Sequence, residues 1–313
     1  MGSQPRAAGR SGSIVAKPLP ANSRAATIKK YYSLTKPGVL YGNVITGVAG
    51  FLLAVGYFRT FPVGLFIATI LGMTLVIASA CVLNNVLDQD IDAIMERTKK
   101  RAVAHGDIAS RPASVFSAIL GVLGIGILAL WSNWLVVAIG VFGFVTYVWL
   151  YGATSKRKSI HGTLVGSISG AMPVLAGYVA VADRFDMAAL LVFLALFFWQ
   201  FPEFYSIAIY RKKEYAAAGI PVMTVVKGVK NTQVQIFIYT VLFVISTLLL
   251  TIFGYTGWIY FAVMAVLGAY WIWLGWQAFA AKDADAWARR MFHFSLMALM
   301  AYSAMLAIGP WLP

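Results

Sequence analysis

The chain has 313 residues, of which 60% are hydrophobic and 12% charged, with a formal net charge of +14 and one cysteine. Soluble domains are about half apolar and about a quarter charged, so this composition excludes an ordinary cytosolic enzyme and a disordered chain, and the single Cys81 excludes an internal disulfide framework. What remains is a polytopic membrane protein.

Residues 1–30 are rich in Arg, Ser, Ala and Pro, contain no acid and lack the apolar core of a signal peptide. They read as a disordered basic tail ahead of a membrane domain over 31–313. An organellar transit peptide is the alternative, with Pro18 and Pro20 against a continuous amphipathic helix. A membrane-crossing helix needs about 20 apolar residues. Runs of that kind predict nine spans: 38–58, 61–84, 113–131, 134–152, 162–182, 187–208, 234–254, 257–279 and 291–310. The short links near 59, 132 and 255 predict tight hairpins. The fold class is therefore all-α, a bundle of nine transmembrane helices.

With the N-terminus in the cytoplasm, 23 of the 25 Lys and Arg fall on that side, and only Arg59 and Arg184 lie outside. This imbalance sets the orientation by the positive-inside rule. It also accounts for the net charge without nucleic acid, because the cations flank the lipid bilayer. A bacterial inner membrane is the expected location, with the mitochondrial inner membrane as the alternative.

Eight of the eleven acids join the cations on the cytoplasmic side. The densest run is Asn84-Asn85-Val86-Leu87-Asp88-Gln89-Asp90-Ile91-Asp92, followed by Glu96, Arg97 and Arg101. Asn84, Asp88, Asp92 and Glu96 are four apart, so a continued second helix would carry them as one oxygen-lined stripe, with Asp90 on the opposite side. Like charges on one stripe repel unless a cation neutralises them. Mg²⁺ suits such a site, since it takes one or two carboxylates and completes its shell with phosphate oxygens. Arg97 and Arg101 are multi-donor groups matched to phosphate. Asp88 and Asp92 are thus candidate catalytic and metal-binding residues, with Asn84 as a further ligand, in a cytoplasm-facing active site.

Further along, Tyr147, Tyr151 and the cluster Lys156-Arg157-Lys158 end the fourth span and add positive charge to the same face. Gly162, Gly166 and Gly170 form a small-residue stripe for close helix packing. Glu203 lies about two turns inside the sixth span, next to Pro202, where an ionised group costs about 2.5 kcal/mol or more. It is a candidate catalytic base or ligand. Glu214, past the end of that span, is a candidate second metal ligand. His105, His161 and His293 are scattered, so no zinc site is expected. Metal, cations and an apolar bundle together suit a substrate with a diphosphate head and a greasy tail, ionised at an allylic carbon.

Asn84-x₃-Asp88-x₃-Asp92 on the second of nine helices resembles the first signature of the UbiA-type intramembrane prenyltransferases. More narrowly, the chain resembles their heme o synthase (protoheme IX farnesyltransferase) branch. The stretches that carry this are Thr35-Lys36-Pro37-Gly38 with Asn43, the acidic run through Thr98, Lys156-Arg157 with Gly162-Thr163 and Gly166, Trp199-Gln200-Phe201-Pro202, Ile220-Pro221-Val222 and Val226-Lys227-Gly228. The resemblance spans roughly residues 30–310.

It implies transfer of the farnesyl group of farnesyl diphosphate to a vinyl group of heme b, with water addition, giving heme o. Asn84, Asp88 and Asp92 would hold Mg²⁺. Arg97, Arg101, Lys156, Arg157 and Arg211 would hold diphosphate or heme propionates, and Asn43, Tyr147 and Tyr151 would line the substrate pocket. Glu214 stands where the branch usually has Asp, and Glu203 where it has His. Heme-handling or oxidase-assembly proteins are further candidate partners. An aromatic quinone precursor as acceptor is the alternative within the family, and a secondary transporter the alternative outside it.

Overall fold

The computed structural model describes residues 24–313. The expected tail at 1–30 falls mostly outside them; its last seven residues belong to a helix, Arg24–Leu34. Among the described residues there is no strand, and nine helices are long and apolar enough to cross a membrane. We number them α1 Pro37–Phe58, α2 Val63–Leu87, α3 Ser110–Trp131, α4 Trp134–Lys158, α5 Gly162–Ala182, α6 Met187–Tyr210, α7 Gly228–Ile252, α8 Trp258–Ala280 and α9 Ala284–Trp311. The chain is a multi-pass membrane protein.

All nine expected spans are present. Three start earlier than their apolar runs: α3 at Ser110, α7 at Gly228 and α9 at Ala284. Their first turns are polar and project from the basic end of the bundle, so hydropathy alone missed them. The opposite end is closed by side-chain caps. Asn133 Oδ1 accepts from the Val136 amide at 2.9 Å, and its Nδ2 donates to the Val179 carbonyl at 3.0 Å. Asp186 accepts from the Ala189 amide at 3.1 Å and from the Tyr178 hydroxyl at 2.9 Å. Such caps satisfy amides that a helix leaves unpaired at its start.

Sequence-adjacent helices pack together, and longer-range packing of α1 on α5 and of α9 on α1 and α6 closes the bundle. Helices α1 and α5 approach backbone to backbone. A side chain at Gly177 would overlap the Gly47 carbonyl, and one at Gly50 the Val174 carbonyl. Small residues let two backbones touch where lipid supplies no hydrophobic driving force.

Two smaller apolar clusters fold the connecting segments over the basic end. Leu34, Val82, Ala102, Val103, Ile108 and Ala113 fasten the loop after α2 to the N-terminal helix. Ile91, Met95 and Ile220 join it to the segment between α6 and α7, with Tyr215, Ala218 and Val222 against them.

Candidate active site

The acidic run does not continue α2 as one regular helix. Helix α2 ends at Leu87, Asp88 sits at φ −93°, ψ 5°, and a short helix Gln89–Ile94 follows. The four-residue hydrogen-bond ladder nevertheless persists, from the Asp88 amide to the Asn84 carbonyl at 2.9 Å and from the Asp92 amide to the Asp88 carbonyl at 2.8 Å. Asn84, Asp88 and Asp92 therefore stay on one face, and all three are buried. Glu96 leaves the stripe: the chain turns extended at Met95, and Glu96 pairs on the surface with Lys99 at 2.7 Å.

Each buried oxygen donor meets a cation from a different part of the chain. Lys36 Nζ donates to Asn84 Oδ1. Lys156 Nζ donates to Asp88 Oδ2 at 2.5 Å, and Arg101 Nη1 to Asp92 Oδ2 at 2.6 Å. Arg157 Nη2 lies 3.9 Å from Asp88 Oδ1. Charges this deep need partners, because desolvation otherwise costs several kcal/mol per ion. The segments carrying Lys36, Arg101 and Lys156 thus converge on the end of α2.

Lys36 has no role in the site that the sequence makes legible. Its backbone is left-handed (φ 51°, ψ 67°) immediately before Pro37. That conformation costs a side-chain-bearing residue about 1–2 kcal/mol, and it swings the ammonium inward onto Asn84. Burial pushes this ammonium down to about 8, with the Arg101 and Lys156 cations acting in the same direction.

The end of α4 supplies the rest. Residues Thr146–Ser155 form a π-helix, a widened turn that the sequence did not predict. Tyr147 and Tyr151 stack there at 5.8 Å, and the Tyr147 hydroxyl donates to Asn84 Oδ1 at 3.5 Å. Gly152 lies under Asn84: a Cβ there would sit 3.2 Å from Asn84 Nδ2. Arg157 grips Asp90 on the outer side of the short helix and holds its carboxyl down at about 2.

Other candidates are placed differently. Arg97 is exposed, and among the described residues it has no ion-pair partner; Tyr151 and Tyr215 lie within its electrostatic reach. Tyr215, which the sequence did not single out, also faces Lys156 and Arg211, and burial pushes its hydroxyl up. Arg211 pairs with Glu214 at 2.7 Å. Among the described residues no three His, Cys, Asp or Glu form a group that could hold a metal, so Glu214 does not complete a carboxylate triad with Asp88 and Asp92. Asn43 Nδ2 donates to the Val39 carbonyl of its own helix at 2.8 Å. Glu203 is on α6, away from this cluster in sequence, and among the described residues it has no hydrogen-bond or ion-pair partner.

The donor set fits a hard divalent cation. Two carboxylates and a carboxamide oxygen share one face, and Asp88 Oδ1 is buried without a hydrogen bond. Mg²⁺ with phosphate oxygens needs no more protein ligands than this.

Comparisons with known proteins bear on the family and the fold. A model of the UbiA prenyltransferase family matches residues 43–297. Protoheme IX farnesyltransferase 2 of Pseudomonas fluorescens is 44% identical over 283 residues, 90% of this chain and 95% of that protein. Protoheme IX farnesyltransferase of Yersinia enterocolitica is 44% identical over 281 residues, 90% of this chain and 94% of that one. Among solved structures, a digeranylgeranylglyceryl phosphate synthase superposes with a TM-score of 0.76 at 20% identity, covering 90% of this chain and 98% of that one. A UbiA homolog from Archaeoglobus fulgidus bound to GPP and Mg²⁺ gives 0.65 at 12% identity, covering 89% and 99%. At such identities the structures speak for the fold.

Proposed function

The chain belongs to the UbiA prenyltransferase family, within its protoheme IX farnesyltransferase branch, and from that premise we propose that it transfers the farnesyl group of farnesyl diphosphate to heme b. Heme as acceptor is supported by the 44% identity to protoheme IX farnesyltransferases across 90% of the chain. The observation that carries the chemistry is the convergence of Asn84, Asp88 and Asp92 with Lys36, Arg101, Lys156 and Arg157 at the basic end of an apolar bundle.

Asn84, Asp88 and Asp92 would hold Mg²⁺, which when bound neutralises the diphosphate as it departs. Lys36, Arg97, Arg101, Lys156, Arg157 and Arg211 bind diphosphate oxygens or heme propionates, and the Tyr147 and Tyr215 hydroxyls orient them. Asp88 and Asp92 also hold Lys156 and Arg101 in place. The apolar helices take the farnesyl tail at about 0.8 kcal/mol per buried CH₂ and keep water from the allylic carbon. The bond from farnesyl C1 to the diphosphate oxygen breaks, and C1 joins the terminal carbon of a heme vinyl group. Water then adds its oxygen to the inner vinyl carbon and gives up a proton, for which Glu203 is the candidate acceptor. The basic end faces the cytoplasm of a bacterial cell across the inner membrane.

The test is incubation of the protein in lipid nanodiscs with Mg²⁺, farnesyl diphosphate and either heme b or 4-hydroxybenzoate. A farnesylated, hydrated heme is the expected product. A farnesylated benzoate with unchanged heme would assign the acceptor to the quinone class. Full turnover in excess chelator would refute the metal assignment.

A further inference from the structure

Within the acidic run 84–92, Asp90 is the carboxylate that neither holds the metal nor is buried in the site. It stands two positions from both Asp88 and Asp92, on the opposite side of the short helix, and 63% of its side chain is exposed. Arg157 reaches it with both terminal nitrogens, Nη1 donating to Oδ2 at 2.8 Å and Nη2 to Oδ1 at 2.7 Å. The same Nη2 donates to the Leu87 carbonyl, at the end of α2, at 2.5 Å. It also stands 3.9 Å from Asp88 Oδ1, on a side chain only 1% exposed. One guanidinium therefore bridges the outer acid, the helix end and the inner acid.

With Asp90 mostly in solvent, the pair adds modest stability, about 1 kcal/mol for exposed pairs and more where the contact is two-pronged. What a two-pronged Arg–carboxylate contact supplies is direction, because it fixes the plane of the guanidinium as well as its distance. Among the described residues, three of the five N–H donors of Arg157 are used in these bonds. Nη2, the atom nearest Asp88, has both hydrogens engaged, so an arriving anion would be met by the two donors left, Nε–H and the second hydrogen of Nη1. Without Asp90, Arg157 would keep only one strong bond, to the Leu87 carbonyl, about which it can swing.

We propose that Asp90 is a positioning residue for the prenyl diphosphate: it aims Arg157 at the diphosphate from outside the site and touches no reactant itself. The proposal rests on the reading of this face as the diphosphate site, and it adds a requirement that Asn84, Asp88 and Asp92 alone do not predict.

The test measures binding of farnesyl thiodiphosphate, a slowly ionising analogue, with Mg²⁺ in nanodiscs, alongside kcat and KM for farnesyl diphosphate. D90N should weaken analogue binding about tenfold, the loss expected when one charged hydrogen bond is misdirected. KM for farnesyl diphosphate should rise in step, KM for heme b should stay unchanged, and D90E should recover part of the loss. In an R157A background, D90N should add nothing further, since both changes remove one device. Unchanged analogue binding in D90N would overturn the proposal. So would an equal loss with and without Arg157, or a fall of several degrees in melting temperature shared by D90N and D90E, which would mark a scaffold role. Failure of the wild type to bind the analogue would instead sink the diphosphate reading. Analogue binding that follows the expected pattern without any product from heme b would sink only the acceptor.

Discussion

Lys36 shows how a single residue can bear a local cost for a site. A lysine in the left-handed region just before a proline is disfavoured twice, by its own Cβ and by the following ring. The reward is a buried ammonium on Asn84 among Arg101 and Lys156. Lys36→Met should lower kcat/KM for farnesyl diphosphate by about 10- to 100-fold, the range for one charged hydrogen bond. Lys36→Arg should retain more, and steady-state kinetics would check both; equal activity of the methionine variant would remove Lys36 from the site. Sequence reasoning found Asp88 and Asp92 because their spacing is a helical period, and Lys156 and Arg157 because they end a span. It could not find Lys36, whose role depends on one backbone dihedral and on contact with a residue 48 positions away. It also assigned Glu96 to the stripe, because nothing in the spacing shows that the chain turns extended at Met95.

At the scale of elements, hydropathy located every span because about 20 apolar residues are a physical requirement of the bilayer. It missed features that carry no such signal: the break at Asp88, the polar first turns of α3, α7 and α9, and the π-helix that ends α4. That last feature matters for chemistry, since it stacks Tyr147 on Tyr151 and precedes Lys156 and Arg157. Helix packing gives a sharper expectation. Gly177→Val should push α5 off α1, because its side chain would overlap the Gly47 carbonyl. A destabilisation of about 1–3 kcal/mol or more is expected for such overpacking. Gly126→Ala is the control, since a Cβ there meets nothing within 4 Å. Thermal unfolding in detergent would compare them, and equal melting temperatures would contradict the packing described.

At the scale of the whole molecule, the charge asymmetry and the site agree: among the described residues, the acids of the site and nearly all the cations lie at one end of the bundle. Orientation can be read directly, because the native Cys81 is buried. A cysteine placed at Asp183 should react with a membrane-impermeant maleimide in intact bacterial cells. One placed at Lys158 should react only after the membrane is opened. The reverse pattern would invert the topology and place the diphosphate site outside the cell.

Farnesyl transfer to heme is measured most directly by mass spectrometry of hemes extracted from a bacterial host that lacks its own farnesylating enzyme and expresses this chain. The wild type should add a species heavier than heme b by one farnesyl group and one water, and Asp88→Ala, expressed to the same level, should leave heme b alone. Unmodified heme b in both, or the heavier species undiminished in Asp88→Ala, would contradict the account.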